Sequence, residues 1–318
     1  MIAFIVRRII QAMVVILVVL VLLFILLHQI PGGAARAAIG PRATAQQIAD
    51  FNQVNGYNRP LVDQFWLYLV RLVWHHNLGY SYHHNEAVTS LIMSRLPKTL
   101  VLVGISTLLA LVVAVPLGIL QVVRRNKPID HVLTGASFVF YGMPSFLLGT
   151  LLILYFAVDL HWFSVEAPQG TTVAAILGDP RGLVLPEITL AAITIASFSR
   201  YMRSSMMEAL TEDYVRTARA KGAPTARVLF RHALRNAIIP IITLLGLSIP
   251  TIVGGAVITE TVFNYPGMGL LTYIAATETD VPVVLGTALV ATIATVVGSL
   301  LADVLYAVAD PRIRYARR

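Results

Sequence analysis

The sequence contains no cysteine and only three lysines, and both shortages exclude kinds of chemistry. Without cysteine the chain can form no disulfide, no thiolate nucleophile and no cysteine-ligated zinc site. A phosphate-binding P-loop needs a lysine that follows glycine and precedes serine or threonine. The lysines are Lys98, Lys127 and Lys221, and they follow Pro97, Asn126 and Ala220. The chain therefore has no P-loop, and any ATP that drives its activity must be hydrolysed by another protein.

Charged residues are also scarce, at 13% of the chain, whereas 57% of its residues are hydrophobic. A soluble protein usually carries about 25% charged residues. The net charge of +8 lies in short tracts between apolar runs. Such tracts are typical of membrane topology signals rather than of a nucleic-acid-binding face. Neither a Gly-x-Ser-x-Gly elbow nor a His-Glu-x-x-His helix occurs, so nothing indicates an enzyme.

Six apolar segments are long enough to cross a bilayer as helices. A helix rises about 1.5 Å per residue, so roughly 20 residues cover the hydrocarbon core. The predicted spans are Ile9–Leu27, Leu100–Val123, Leu133–Val158, Leu183–Tyr201, Ile238–Thr259 and Val283–Ala302. The predicted fold class is therefore an all-α membrane protein with six transmembrane helices.

The first span could instead be a cleavable signal peptide, because Ala35-Arg36-Ala37 offers a small-residue cleavage site. However, Ala12–Leu27 is an unbroken apolar run that exceeds the usual length of roughly 7–15 residues. We therefore favour a retained N-terminal transmembrane helix in residues 1–30. A small extracytoplasmic domain at 31–97 and a transmembrane domain at 98–318 are predicted to follow.

The basic residues predict the side of the membrane that each connection faces. They concentrate in the predicted inner segments 1–8, 124–131, 200–236 and 309–318. The predicted outer loops 159–182 and 260–282 together contain a single lysine or arginine, Arg181. Because positive charge near span ends marks the cytoplasmic side, six spans with both termini in the cytoplasm are predicted.

The long polar stretch Met202–Asn236 lies between the fourth and fifth predicted spans. Apolar Tyr214, Val215 and Ala218 share one face at helical spacing. Gly222 is predicted to end that helix, since a left-handed position costs glycine least. The apolar face is expected to contact a groove of a partner protein.

A second helix is predicted to begin at Pro224, where the missing N–H of proline does no harm. Along it Arg227, Arg231 and Arg235 recur every four residues and form one basic stripe. A short helix–turn–helix at a membrane surface is typical of a docking element for another protein.

This stretch resembles the cytoplasmic coupling loop of bacterial ABC importer permeases, whose pattern is Glu-Ala-Ala, three residues, Gly, nine residues and Ile-x-Leu-Pro. Aligned on Gly222, the chain keeps Ala218 and Leu234, whereas the Glu, Ile and Pro are missing. The residues that the resemblance implies for ATPase coupling are Tyr214, Val215, Arg216, Thr217, Ala218, Lys221, Gly222 and Leu234.

Further segments resemble the branch of this family that imports peptides and nickel. They are DYVRTARAKG at 213–222, RHALRNAIIP at 231–240, RLPKTL at 95–100, SMMEAL at 205–210, ETVFNYPGMG at 260–269 and DPRIRY at 310–315. Because these segments extend over most of the chain, the resemblance implies a permease subunit of a di- or oligopeptide importer. The alternative is that the cargo is nickel or another small solute.

The resemblance also implies partners and a location. A homologous second permease would complete a heterodimeric pore, two ATPase subunits would bind ATP and magnesium, and an extracytoplasmic binding protein would deliver cargo. The chain itself would need no cofactor and would lie among the lipids of the bacterial cell membrane. The alternatives are an ion-coupled secondary transporter, which needs buried titrating residues that these spans rarely offer, and a receptor or scaffold.

The translocation path is predicted from breaks in the third and fifth spans. Proline and glycine breaks are tolerated in a membrane where the freed backbone groups find protein or water, although packing kinks are an alternative. The residues assigned to the path or its outer gate are Tyr141, Pro144, Ser145, Glu260, Phe263 and Pro266.

Four histidines, His75, His76, His83 and His84, fall in the predicted extracytoplasmic domain. Neutral imidazoles bind nickel, so a metal site is one hypothesis. Adjacent residues diverge on a helix or strand, and no carboxylate motif accompanies the pairs. We therefore interpret them as surface histidines and expect no metal site.

Overall fold

A computed structural model describes residues 2–29, 33–40, 42–254 and 256–309. The helices are α1 (Ile2–His28), α2 (Gly33–Ile39), α3 (Ala45–Asn55), α4 (Leu61–His75), α5 (Val88–Val123), α6 (Pro128–Gly142), α7 (Ser145–Leu152), α8 (Val173–Leu177), α9 (Pro180–Thr211), α10 (Asp213–Ala220), α11 (Thr225–Arg227), α12 (Leu234–Ala237), α13 (Ile239–Gly254), α14 (Val257–Val262), α15 (Met268–Thr277) and α16 (Val281–Ala309). Two π-helical segments, Ile153–Asp159 and Val228–Ala233, continue α7 and α11. The DPRIRY segment lies outside the described residues.

Residues between α1 and α5 form small helices and one hairpin. Helix α3 begins at a capping box in which Thr44 and Gln47 each satisfy the other's backbone N–H. The antiparallel hairpin pairs β1 (Tyr80–Ser81) with β2 (Glu86–Ala87) and leads directly into α5. Helix α5 runs through Pro97. The predicted domain boundary at 97 and 98 therefore falls inside a helix.

The described residues contain three single helices long and apolar enough to cross a membrane, in α5, α9 and the Val281–Leu301 part of α16. Two bent helix pairs raise this number to five if each pair is one span. The apolar part of α1, Ile10–Leu26, is a shorter helix of the same character. The structure thus shows a helical membrane protein, and the count of six spans stays a prediction.

The third predicted span is two helices, α6 and the combined segment Ser145–Asp159, with a bend of 105° between them. Pro144 lacks a backbone N–H, and Met143 before it is extended with φ −78° and ψ 126°. Proline disfavours helical backbone in the residue that precedes it. The expected break in this span is therefore confirmed, and it is larger than a kink.

Helices α5 and α9 form the centre of the molecule. Their small and flexible side chains, among them Ala114, Met202 and Met206, are fully buried in one cluster with α12 and α13. Small residues such as Ala114 allow the two backbones to approach closely. This packing fixes the end of α9 from which the polar segment 202–236 emerges.

Candidate functional site: the segment between α9 and α13

Helix α10 follows α9 after the single residue Glu212, whose extended backbone redirects the chain. Asp213 lies in the first turn of α10 and Arg219 in the last. Both charges complement the helix dipole, which favours anions at the N-terminus and cations at the C-terminus. A short polar helix is therefore stable at this position beside the long span.

The turn after α10 is a Schellman motif. Gly222 has φ +78°, and its N–H donates to the Arg219 carbonyl at 2.9 Å. The Ala223 N–H donates to the Ala218 carbonyl at 3.1 Å. These are the two bonds that define the motif, with glycine in the left-handed position. The predicted helix end at Gly222 is confirmed, and the next helix begins after Pro224.

The apolar face of α10 points into the protein. Val215 is 0% exposed and Ala218 is 7% exposed, and α10 packs on α9 and on the π-helical segment Val228–Ala233. The interpretation that this face is presented to a partner is wrong for Val215 and Ala218, because the second half of the same segment already covers them, whereas Tyr214 is exposed. Val215 and Ala218 thus hold the helix–turn–helix together.

The surface available to a partner consists of the polar side chains and the turn. Tyr214, Arg216, Thr217, Lys221 and Gly222 are exposed, whereas Leu234 is half-buried against the central cluster. The Arg216 guanidinium lies 3.4 Å from Asp213, an exposed pair that contributes little to stability. Arg227, Arg231 and Arg235 are also exposed, as the basic stripe requires.

An ion pair between a buried carboxylate and a partly exposed arginine joins the end of α9 to α6, and the sequence analysis did not find it. The carboxylate of Asp130, 2% exposed, accepts hydrogen bonds from Arg203 Nε at 3.2 Å and from its terminal nitrogen at 3.1 Å. Thr134 and the Asn126 N–H donate to the same carboxylate. A bidentate pair fixes direction as well as distance. A lone acidic residue among the basic residues of 124–131 was the available signal.

The motif ETVFNYPGMG folds around Glu260, which is fully buried. Its carboxylate accepts hydrogen bonds from Thr99 Oγ1 at 3.1 Å and from the Leu270 N–H at 3.0 Å. Thr99 accepts the Met268 N–H at 2.7 Å, and the Tyr265 hydroxyl donates to the Lys98 carbonyl at 2.7 Å. The motifs RLPKTL and ETVFNYPGMG are thus one hydrogen-bonded unit.

The residues assigned to the translocation path divide into two groups. Glu260, Phe263 and Pro266 are buried inside this unit and face protein rather than an open channel. Tyr141 and Pro144 are exposed, and Ser145 is half-buried at the start of α7. Helix α7 packs on α14, so the bend in the third predicted span contacts the buried unit. A role in the path or gate stays a prediction for all six.

The histidine pairs have different surroundings. His75 and His76 are exposed at the end of α4. His84 Nδ1 lies 3.8 Å from Asp280, and His83 Nδ1 lies 3.9 Å from Glu278. Carboxylates that are distant in sequence therefore accompany the second pair, contrary to the sequence interpretation. Within the described ranges no group of three or more such side chains is arranged to hold a metal.

The fold defines a multi-pass helical membrane protein, and the stretch between α9 and α13 is a structured polar segment between two apolar helices. Residues 114–315 match the family described as binding-protein-dependent transport system inner membrane component. Residues 1–103 match the family model for the N-terminal part of such membrane components. The chain belongs to this family, the permeases of ABC importers, in its peptide branch.

Relatives match over nearly the whole length. The oligopeptide transport system permease protein AppB of Bacillus subtilis (strain 168) is 38% identical over 317 residues, 99% of this chain and 100% of the relative. The di/tripeptide transport system permease protein DppB of Pseudomonas aeruginosa (strain UCBPP-PA14) is 37% identical over 338 residues, with 100% of both chains covered. The glutathione transport system permease protein GsiC of Escherichia coli O6:H1 is 36% identical over 315 residues, which cover 99% of this chain and 100% of the relative.

Membership of this family locates the chain in the plasma membrane as a multi-pass protein and makes it a transport subunit rather than an ATPase. It also decides against the ion-coupled secondary transporter and the receptor as descriptions of the chain. The absence of a P-loop from the sequence agrees with a transport subunit that is not itself an ATPase.

Proposed function

We propose that the chain is the pore-forming permease subunit of an ATP-driven importer of di- and oligopeptides. The observation that carries the proposal is full-length similarity to permeases named for oligopeptides, di/tripeptides and glutathione. All three are peptides or peptide-like solutes, which favours this cargo over nickel. Two ATPase subunits bind ATP and magnesium, an extracytoplasmic binding protein delivers the peptide, and a homologous permease completes a heterodimeric pore. This chain needs no cofactor.

ATPase closure reaches the spans through the segment 202–236. Its exposed residues Tyr214, Arg216, Thr217 and Lys221 lie on the surface that an ATPase can contact. Val215, Ala218 and Leu234 connect that surface to the helices beneath. Since α9 continues from this segment into the centre of the fold, a displacement of α10 moves a span directly.

Uptake by the assembled importer tests the proposal. We expect proteoliposomes that contain both permeases, both ATPases and the binding protein to accumulate a radiolabelled dipeptide with ATP. Accumulation should stop when the catalytic glutamate of the ATPases is replaced, because this chain has no ATP site. Peptide uptake without any ATPase, or uptake of nickel and no peptide, would contradict the proposal.

The arrangement of the chain in the membrane is proposed as six spans with both termini cytoplasmic, residues 31–97 outside and 202–236 inside. The native chain has no cysteine, so single-cysteine variants report one position each. We expect Asn58→Cys and Gln169→Cys to react with an impermeant thiol reagent in intact cells. Thr225→Cys should react only after the membrane is opened. Reaction of position 225 from outside would overturn the arrangement.

A further inference from the structure

A cavity of about 470 Å³ with both polar and aromatic side chains in its lining lies between α5, α6 and α9, near the end of α9 that leads into the segment 202–236. Its lining includes Gln121, Phe138, Tyr141, Ser197 and Arg200. We call it the α5–α6–α9 cavity. Nothing in the coupling role of the neighbouring segment accounts for the chemistry of these side chains.

Arg200 is held between two aromatic rings. Its Cζ atom lies 4.7 Å from the centroid of the Phe138 ring and 4.7 Å from that of Tyr141. Cation–π contacts fix the position of the guanidinium without neutralising its charge. In the part of the chain that the structure describes, no carboxylate pairs with Arg200, whereas Arg203 is bound to Asp130. The cavity therefore contains one positioned cation available to an anion.

Gln121 supplies a second observation. This side chain is 1% exposed, and its Oε1 atom is buried without a hydrogen-bond partner among the described residues. Buried polar atoms in folded proteins are nearly always hydrogen-bonded, because an unpaired acceptor loses its water without compensation. A ligand N–H or O–H donor would satisfy this oxygen once the Gln121 side chain turns it toward the cavity that the residue lines.

We propose that the α5–α6–α9 cavity binds the C-terminal carboxylate of the peptide during translocation. Arg200 pairs with the carboxylate, and Gln121 accepts a hydrogen bond from a peptide N–H. One unpaired cation beside neutral polar groups suits a monoanionic carboxylate better than a phosphate. This inference rests on the proposed function and names the part of the cargo that this subunit recognises.

Cysteine protection tests occupancy directly. In the purified importer in lipid nanodiscs, without binding protein or nucleotide, Ser197→Cys should react with a small aqueous thiol reagent. The dipeptide Ala-Phe at millimolar concentration should slow labelling at least fivefold more than its C-terminal amide. Ser205→Cys, which is not among the lining residues, serves as the control. Equal protection by the two peptides, protection by neither, or protection that instead follows the anionic lipid content would overturn the proposal.

Transport provides an independent test. With both peptides saturating the binding protein, Arg200→Gln should lower uptake of the free-acid peptide about tenfold and leave uptake of the amide near its original rate, as loss of a charge-assisted hydrogen bond predicts. Arg200→Lys should restore part of the difference, and Arg125→Gln should change neither rate. Equal loss of both peptides would refute the site. Absence of any peptide uptake by the native importer would instead refute the proposed function.

Discussion

Replacing Gly267 by alanine should prevent the protein from accumulating in a stable folded form. A Cβ atom at this position would lie 2.5 Å from Thr99 Oγ1 and closer still to Glu260 Oε2. Neither oxygen can retreat, because each holds a backbone N–H of the turn that follows. Overpacking costs about 1–3 kcal/mol, and a buried N–H left unpaired adds about 1–3 kcal/mol. We expect the free energy of unfolding to fall by about 3–5 kcal/mol. The loss should appear as a lower thermal unfolding midpoint of the detergent-solubilised protein.

Gly104→Ala is the matched control for this substitution. Gly104 lies inside α5, and a Cβ atom there would meet nothing within 4 Å. Because alanine is favoured over glycine inside a helix, this variant should keep or slightly raise the unfolding midpoint. The backbone of Gly267 is extended, with φ −105° and ψ −172°, so the predicted effect at 267 is steric. An unchanged midpoint for Gly267→Ala would show that the unit around Glu260 is not packed as described.

Local features were predictable from the sequence, and contacts between distant segments were not. The turn at Gly222 follows from the conformational freedom of one residue, and the break at Pro144 follows from one missing N–H. Both depend on neighbours within a few positions. The sequence also marked RLPKTL and ETVFNYPGMG as separate segments. That Thr99 donates to Glu260 across 161 positions could not be derived from either alone.

What the apolar face of α10 contacts could likewise not be predicted from the sequence. Helical periodicity places Val215 and Ala218 on one side of the helix but does not say what covers that side. The structure covers it with Val228–Ala233 from the same segment. The Asp130–Arg203 pair is a similar case, because two charged residues 73 positions apart become partners only when α6 packs on α9. The sequence identified Val215 and Ala218 correctly as an apolar pair, but only the structure shows that the chain itself buries them and that they stabilise its own fold.

The prediction with the largest functional effect concerns Gly222. A Cβ atom here would meet nothing within 4 Å, so space is not the obstacle, but φ is +78°. A β-branched residue in this left-handed conformation costs roughly 1–2 kcal/mol. Gly222→Val should therefore leave membrane insertion near normal and displace the exposed turn. We expect the ATPases to be lost from pull-downs and peptide uptake to fall at least tenfold.

Two matched variants decide whether the backbone conformation is the cause. Asparagine tolerates the left-handed region, so Gly222→Asn should retain ATPase binding and most of the uptake. Ala218→Glu should fail like Gly222→Val for a different reason, since it buries an unpaired charge between α10 and Val228–Ala233 and disrupts the helix–turn–helix itself. Arg231→Ala removes an exposed charge and should change uptake little. Normal docking and uptake in both Gly222→Val and Ala218→Glu would mean that ATPase movement reaches the spans by another route.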